Sequence, residues 1–395
     1  MLADSPRNNS SPRLPIVTRH GGSILIHIIF LFLRSVYRFE ASKIKHFGYE
    51  TSDFRKGFMN ILLTGGMGYL GSHTATVLMK AGHRVILFDN LYNSRADMLD
   101  RLVRIAGQKI AFVEGDIRDK HLPQKVLRDY SIDAVIHFAG LKSVSESVEK
   151  PIDYFANNIE GAINLFGAMT AENVKTLVFS SSATVYGEPK YVPLNENHPT
   201  RVTNPYGRSK LCVEEMLNDI AGSDLEWRIA SLRYFNPVGA HDSGLIGEMP
   251  RGVPNNLVPF IVQVAAGRQS MLQVFGNDYP TKDGTGVRDY IHVMDLANGH
   301  LAALDYLAEQ PGCHEFNLGT GRGYSVLEMI RAFESVCGRS IPFKYAPRRI
   351  GDVPYCYADP RKAETELKWF ATRSLAEMCH SAWNFEMKSN HAENC

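Results

Sequence analysis

Residues Met59 to His73 read Met59-Asn60-Ile61-Leu62-Leu63-Thr64-Gly65-Gly66-Met67-Gly68-Tyr69-Leu70-Gly71-Ser72-His73, and this stretch decides the fold. Ile61, Leu62 and Leu63 form a short unbroken apolar run, as expected of a parallel strand covered by helices on both faces. Gly66-x-Gly68-x-x-Gly71 follows, overlapping a shifted Gly65-x-x-Gly68-x-x-Gly71. Glycines so spaced allow a tight turn and let backbone N–H groups approach a pyrophosphate, while the next helix turns its positive end to the same anion. That helix is expected from Tyr69 to Ala81, stopping at Gly82. Val85 to Phe88 make the next apolar strand, ending in Asp89, 18 residues beyond Gly71. An acid there accepts hydrogen bonds from both ribose hydroxyls of an adenosine and would repel a 2′-phosphate, so NAD is favoured over NADP.

The alternation continues outward. Ile110 to Val113 ends in Glu114-Gly115-Asp116, and Asp133 to Phe138 ends in Ala139-Gly140. A helix is expected over Pro151 to Met169, and a strand over Lys175 to Phe179 leads into Ser180-Ser181-Ser182. The fold class is therefore α/β, a doubly wound parallel sheet of the Rossmann type with a smaller α/β substrate-binding domain. Carboxyl ends of the strands should carry the ligand site.

Asn204-Pro205 has the signature of a helix start, and Gly222 is expected to close that helix. Tyr206 and Lys210, four apart, share a face near its beginning. A phenol is a poor base at neutral pH, but a nearby ammonium stabilises its phenolate. Tyr206 could then take a proton from a substrate hydroxyl whose carbon gives up hydride. Ser182 would hold the same oxygen beside the phenol, although register alone does not separate it from Ser180 and Ser181.

Composition sets the outer limits. The chain has 395 residues, 44% hydrophobic and 22% charged, which is ordinary globular material. Its net charge of +1 excludes a basic field for nucleic acid or an anionic membrane. Residues 1 to 58 hold nine basic and four acidic side chains, a net of +5, so the remaining 337 carry −4. Ile24 to Leu33 is apolar except for His27, too short for a bilayer span of about 20 residues. The favoured reading of residues 1 to 58 is a start assigned upstream of the folded protein, ahead of a loosely attached extension or a targeting segment. Cys212, Cys313, Cys337, Cys356, Cys379 and Cys395 are scattered without metal-ligand or disulfide spacing, so no metal is expected and reduced thiols in the cytoplasm are the simplest reading.

The glycine loop with Ser182, Tyr206 and Lys210 resembles the extended short-chain dehydrogenase/reductases. Longer strings narrow the resemblance to the UDP-glucose 4-epimerase family: Ile136-His-Phe-Ala-Gly-Leu-Lys142, Ser180-Ser-Ser-Ala-Thr-Val-Tyr-Gly187, Leu232-Arg-Tyr-Phe-Asn-Pro-Val-Gly-Ala240, Phe275-Gly-Asn-Asp-Tyr-Pro280 and the run from Asp283 to Leu296. The likeness extends from Met59 to about Trp383. It implies reversible inversion at C4 of UDP-glucose and UDP-galactose through a 4-keto sugar that swivels, with NAD bound throughout, serving galactose metabolism. On the cofactor side it implies Tyr69, Leu70, Asn90, Asn93, Ser94, Asp116, Ile117, Phe138, Ala139, Gly140, Lys142, Asn157 and Phe235, besides the glycines Gly65, Gly66, Gly68 and Gly71 and the acid Asp89. On the sugar side it implies Lys142, Ser182, Tyr206, Asn236, Asn255, Asn256, Leu257, Gln273, Val274, Phe275, Arg288, Arg349, Asp352 and Cys356, with Arg288 on the diphosphate. It also implies a homodimer.

Related sugar-nucleotide dehydratases carry an Asp-Glu pair after the equivalent of Ser182, where this chain has Ala183-Thr184, so elimination is not expected. A net dehydrogenase and a non-catalytic NAD sensor are the alternatives; retention of Ser182, Tyr206 and Lys210 speaks against the sensor. Cys356 stands where narrow members of the family resemble one another in having a tyrosine. The smaller thiol implies room for the N-acetyl group of UDP-N-acetylglucosamine and UDP-N-acetylgalactosamine. The expected organisation is an extension to residue 58, an NAD-binding domain over 59–235, a mainly UDP-sugar-binding domain over 236–383 with segments returning to the first, and a tail over 384–395.

Overall fold

The computed structural model describes residues 57–249, 251, 254, 256–349 and 351–393. Expectations for the first 56 residues, Asn255 and Cys395 lie outside them. The strand β1, Asn60–Thr64, shows how the sheet is held. Side chains alternate across a strand, so Ile61 and Leu63 enter one hydrophobic layer and Leu62 the other, all three fully buried. Shortening Leu62 to Ala would cost about 2–5 kcal/mol, a large share of the roughly 5–15 kcal/mol that stabilises an ordinary domain.

After β1 come α1 (Tyr69–Lys80), β2 (Arg84–Asp89), α2 (Met98–Ala106), β3 (Ala111–Glu114), α3 (Leu122–Asp129) and β4 (Ala134–His137). Next follow α4 (Val144–Glu149), α5 (Pro151–Phe155), a π turn (Ala156–Glu160), α6 (Gly161–Ala171), β5 (Thr176–Ser182), a 3₁₀ turn (Ala183–Tyr186), α7 (Pro205–Ser223) and β6 (Arg228–Tyr234). Beyond lie β7 (Asn236–Val238), α8 (Leu257–Ala265), β8 (Leu272–Phe275), β9 (Val287–His292), α9 (Val293–Leu307) and β10 (Gly312–Leu318). The chain ends with β11 (Gly323–Ser325), α10 (Val326–Cys337), β12 (Phe343–Ala346), β13 (Tyr355–Cys356), a second π turn (Ala363–Leu367) and α11 (Leu375–Glu393).

Seven strands form one parallel sheet in the order β10-β6-β5-β4-β1-β2-β3. Buried residues of α1, α2 and α9 cover one face, and those of α3, α6 and α7 the other. The order reverses between β1 and β4, where such sheets open a crevice at the strand ends. Strand β10 pairs with β6 only after the chain has built part of a second lobe. That lobe contains a sheet in which β9 is flanked by β11, β13 and β7, a parallel pair β8–β12, and a core shared by α8, α10 and α11.

Two local expectations are corrected. The helix expected over Pro151 to Met169 is divided by the π turn. There Asn158 donates to the carbonyl of Leu141 and accepts from its N–H, at 3.0 and 2.8 Å; π turns of this kind are often found at functional sites. Gly222 does not close α7, which runs on to Ser223 and is capped by extended Asp224. The last helix, α11, runs through Glu393, with Phe385 and Glu386 buried.

Candidate functional site

A cleft of about 940 Å³ opens at the switch point. Its floor is the glycine loop. Gly65 has φ +69°, and a Cβ there would lie 2.7 Å from the backbone nitrogen of Ala139. A Cβ on Gly71 would lie 2.7 Å from the Cα of Gly66. Both contacts are with backbone, so neither position has room for a side chain, and the N-terminus of α1 is drawn up to the strand. Gly66 packs behind the loop against Leu63 and Leu87 and does not line the cleft.

At the end of β2 the Asp89 carboxylate accepts from Met67 N at 3.1 Å, Leu91 N at 2.9 Å and Ser94 Oγ at 2.7 Å. It is thereby fixed at the cleft wall, where a ribose would meet it. Of the expected cofactor-side residues only Gly66 and Asp116 do not line the cleft. Asp116 turns its carboxylate to Arg118 at 2.7 Å and accepts from Asn90 at 3.0 Å; the Arg118 guanidinium holds it well below the usual carboxylate range. Its contribution is to hold Asn90, which does line the cleft. A backbone cradle closed to any Cβ, with a fixed acid at the next strand end, fits a dinucleotide with free ribose hydroxyls.

The opposite wall carries Ser182, Tyr206 and Lys210, all buried. Asn204 accepts from Gly207 N at 2.8 Å and so starts α7, while a Cβ on Gly207 would lie 3.0 Å from the carbonyl of Thr184. The helix start is thus pressed against the turn that follows Ser182. Burial raises the Tyr206 phenol, and a hydrogen bond with Ser182 opposes that rise. Burial lowers Lys210 to about 8, with Glu214 opposing. Lys210 donates to the Ser180 carbonyl at 2.7 Å and lies 4.9 Å from the centre of the Phe179 ring. It therefore acts on the phenol through space, held in place by β5.

The structure also separates the three serines. Ser181 donates to buried Glu214, and Ser180 interacts with Tyr234, leaving Ser182 beside the phenol. Tyr234, which lines the cleft, donates to His300 Nε2, whose Nδ1 faces the carbonyl of Leu296 at 2.8 Å.

The sugar-side expectations divide. Asn236, Asn256 and Lys142 line the cleft, whereas Leu257, Gln273, Val274, Phe275, Arg288, Arg349, Asp352 and Cys356 do not. Several of the latter form a second cluster. Asp352 is 3.1 Å from Arg349 and 3.7 Å from Arg288, the Arg349 guanidinium lies 4.8 Å from the centre of Phe275, and Cys356 pairs with Arg288 in the sheet. Val274 is buried in the core of the lobe because strand alternation turns it away from Gln273 and Phe275. Its side chain presents no ligand surface. Sequence reasoning missed Glu248, which lines the cleft and joins Lys142 at 3.1 Å to Asn256 at 2.8 Å; no motif surrounds it.

A profile of the GDP-mannose 4,6 dehydratase family matches residues 62–382. The UDP-glucose 4-epimerase of Bacillus subtilis is 53% identical over 328 residues, covering 83% of this chain and 97% of that protein. The chain belongs to the UDP-glucose 4-epimerase family. A solved epimerase of this family from Stenotrophomonas maltophila, with bound NAD and formylated UDP-arabinopyranose, superposes with a TM-score of 0.83 at 50% identity, covering 85% of this chain and 99% of its own. That from Bifidobacterium longum, in complex with NAD+ and UDP, gives 0.82 at 50% identity, covering 84% and 99%. NAD is accordingly the cofactor of the epimerase fold described above. Where elimination would need an acid after Ser182, Thr184 donates its hydroxyl to Ser182 Oγ at 3.0 Å. The pair Ala183-Thr184 keeps this chain with the epimerases, even though its scaffold matches the dehydratase profile.

Proposed function

We propose that the protein interconverts UDP-glucose and UDP-galactose by inversion at C4. The observation that carries this reading is the convergence of Ser182, Tyr206 and Lys210 on one wall of the cleft, with a threonine in place of an elimination acid. Asp89 and the glycine loop would hold the adenosine ribose and the pyrophosphate of NAD. When bound, NAD supplies a reversible hydride acceptor at the sugar's C4. Tyr206 takes the 4-hydroxyl proton and later returns it, Ser182 keeps the oxygen beside the phenol, and Lys210 with its positive charge favours the phenolate. Arg288 and Arg349 are proposed to grip the diphosphate, with Asn236 and Asn256 nearer the sugar. Guanidinium forks suit phosphate oxygens, and a firm hold on the UDP lets the ketone turn without escaping.

The finer reading includes the N-acetylated pair. Cys356 is half-buried against the small cluster that contains Ala183 and Phe235, and the reading rests on its thiol being smaller than a phenol. A homodimer belongs to the same proposal, supported by the exposed apolar side chains of Val148, Ile152 and Ile163, as does a cytoplasmic setting. Among the described residues no helix is long and apolar enough to cross a membrane, and the five described cysteines are free.

The test assays wild type and Tyr206→Phe on all four UDP-sugars while following NADH. Wild type should invert each sugar without accumulating NADH, and Tyr206→Phe should lose at least about 10²-fold in kcat while still binding UDP-sugar. NADH released in step with a ketone product would overturn the epimerase reading. Wild type that ignores the N-acetyl sugars would remove that extension alone.

A further inference from the structure

Behind the catalytic wall, one buried guanidinium touches both segments that carry it. Arg233, on β6, donates from Nε to Glu214 Oε1 at 3.0 Å and from Nη2 to Glu214 Oε2 at 2.7 Å. Glu214 lies one turn beyond Lys210 on α7. The remaining nitrogen, Nη1, donates to the Tyr186 hydroxyl at 3.1 Å and to the Glu196 carbonyl at 3.2 Å. Tyr186 closes the 3₁₀ turn that begins directly after Ser182, and its hydroxyl donates onward to Asn317 Oδ1 on β10 at 2.7 Å. Ser181 adds a third tie by donating to Glu214. Because side chains alternate along β5, a rotation that moved Ser181 off Glu214 would also turn Ser182 away from the phenol.

We propose that Arg233, clamped by Glu214, is a positioning residue for the C4 inversion, fixing the turn after Ser182 against the helix that bears Tyr206 and Lys210. This rests on the epimerase reading given above. Arg233 does not line the cleft, so it acts only through the residues it holds. Stability is a poor explanation for such a pair, since replacing a buried ion pair with apolar groups of similar size is often neutral or stabilising. Geometry is a better one, because a misplacement of about 1 Å at reacting groups can cost about 10²-fold in rate.

Three variants test it. Tyr186→Phe removes the hydroxyl that links Arg233 and Asn317 to the turn, leaving the ring and the Arg233–Glu214 pair. Its kcat should fall about tenfold, with KM for UDP-glucose and retained NAD within about twofold of wild type. The paired change Glu214→Gln with Arg233→Met removes both charges together. It should retain a cooperative thermal transition and bound NAD yet lose about 10²-fold in kcat. Restoring the charge alone, as Arg233→Lys with native Glu214, should leave kcat at least about tenfold below wild type, because an ammonium lacks the fork. Wild-type kcat in Tyr186→Phe would overturn the proposal, and so would a fall in kcat matched by an equal loss of bound NAD. Should the paired variant fail to fold, Tyr186→Phe decides alone. Wild-type protein that inverts no UDP-sugar would instead sink the epimerase reading.

Discussion

The two halves of the site are built from different materials. On the nucleotide side the geometry belongs to the backbone: glycines whose Cβ positions are already occupied by neighbouring main chain, and an acid fixed by three donors. On the proposed sugar side it belongs to side chains, with Arg288 and Arg349 sharing Asp352 across segments far apart in sequence. A cradle of backbone has little freedom to lose when a ligand arrives, whereas paired arginines can exchange one anion for another. The contrast suits a cofactor retained through many turnovers and a substrate that comes and goes.

The largest expected effect breaks the first half. Gly71→Ala would force a methyl into the main chain of Gly66, and should abolish co-purifying NAD and lower activity by more than about 10²-fold. Full NAD content by absorbance after gel filtration would show that the cradle is looser than described. Arg288→Ala should strike only the second half, raising KM for UDP-glucose by about 10- to 100-fold with NAD content unchanged. An equal loss of NAD would mean that the halves are not separable.

The smallest effect concerns acid. His73 and His137 are lowered to about 3 and His300 to about 4, each chiefly by burial. The unfolded chain therefore binds protons that the folded one refuses, and the stability these residues contribute is complete above about pH 6.5 and lost as pH falls, by about 1.4 kcal/mol per pH unit for each. Asp289, on the sugar side, is raised to about 6 by burial, opposed by hydrogen bonds from Thr320, Ala358 and Gly321. Its contribution is present below the unfolded carboxylate pKa and lost as pH rises through about 6. His292, on the same strand as Asp289, is likewise lowered to about 4 by burial; four histidines outweigh one acid, so the thermal midpoint should fall between pH 6.5 and 5, and a constant or rising midpoint would contradict the assignment.

What could be read in the sequence follows the same division. The glycine loop and Asp89 are legible because their chemistry depends on residue type at short spacing. Tyr206 and Lys210 are legible because a helix puts them on one face. Ser182 is named by the motif but not separated from its neighbours by register; the fold adds the reason, since Glu214 and Tyr234 engage the other two. The Arg233–Glu214 pair and the bridge made by Glu248 join elements that only the fold brings together. The π turn was missed for a related reason: Asn158 within it bonds Leu141 on another loop, a contact that no local spacing reveals.

The late return of β10 to the edge of the main sheet has a consequence in the order of synthesis. A chain growing on the ribosome completes β6 well before β10 exists. Until Leu318 has emerged, the edge of β6 beside Arg233 and Tyr234 carries unpaired backbone groups, the kind of edge that recruits foreign strands. Translation at about 5–20 residues per second leaves that edge open for seconds. Synonymous codons that slow elongation between β6 and β10 should therefore lower the soluble yield, although they change no residue of the finished enzyme.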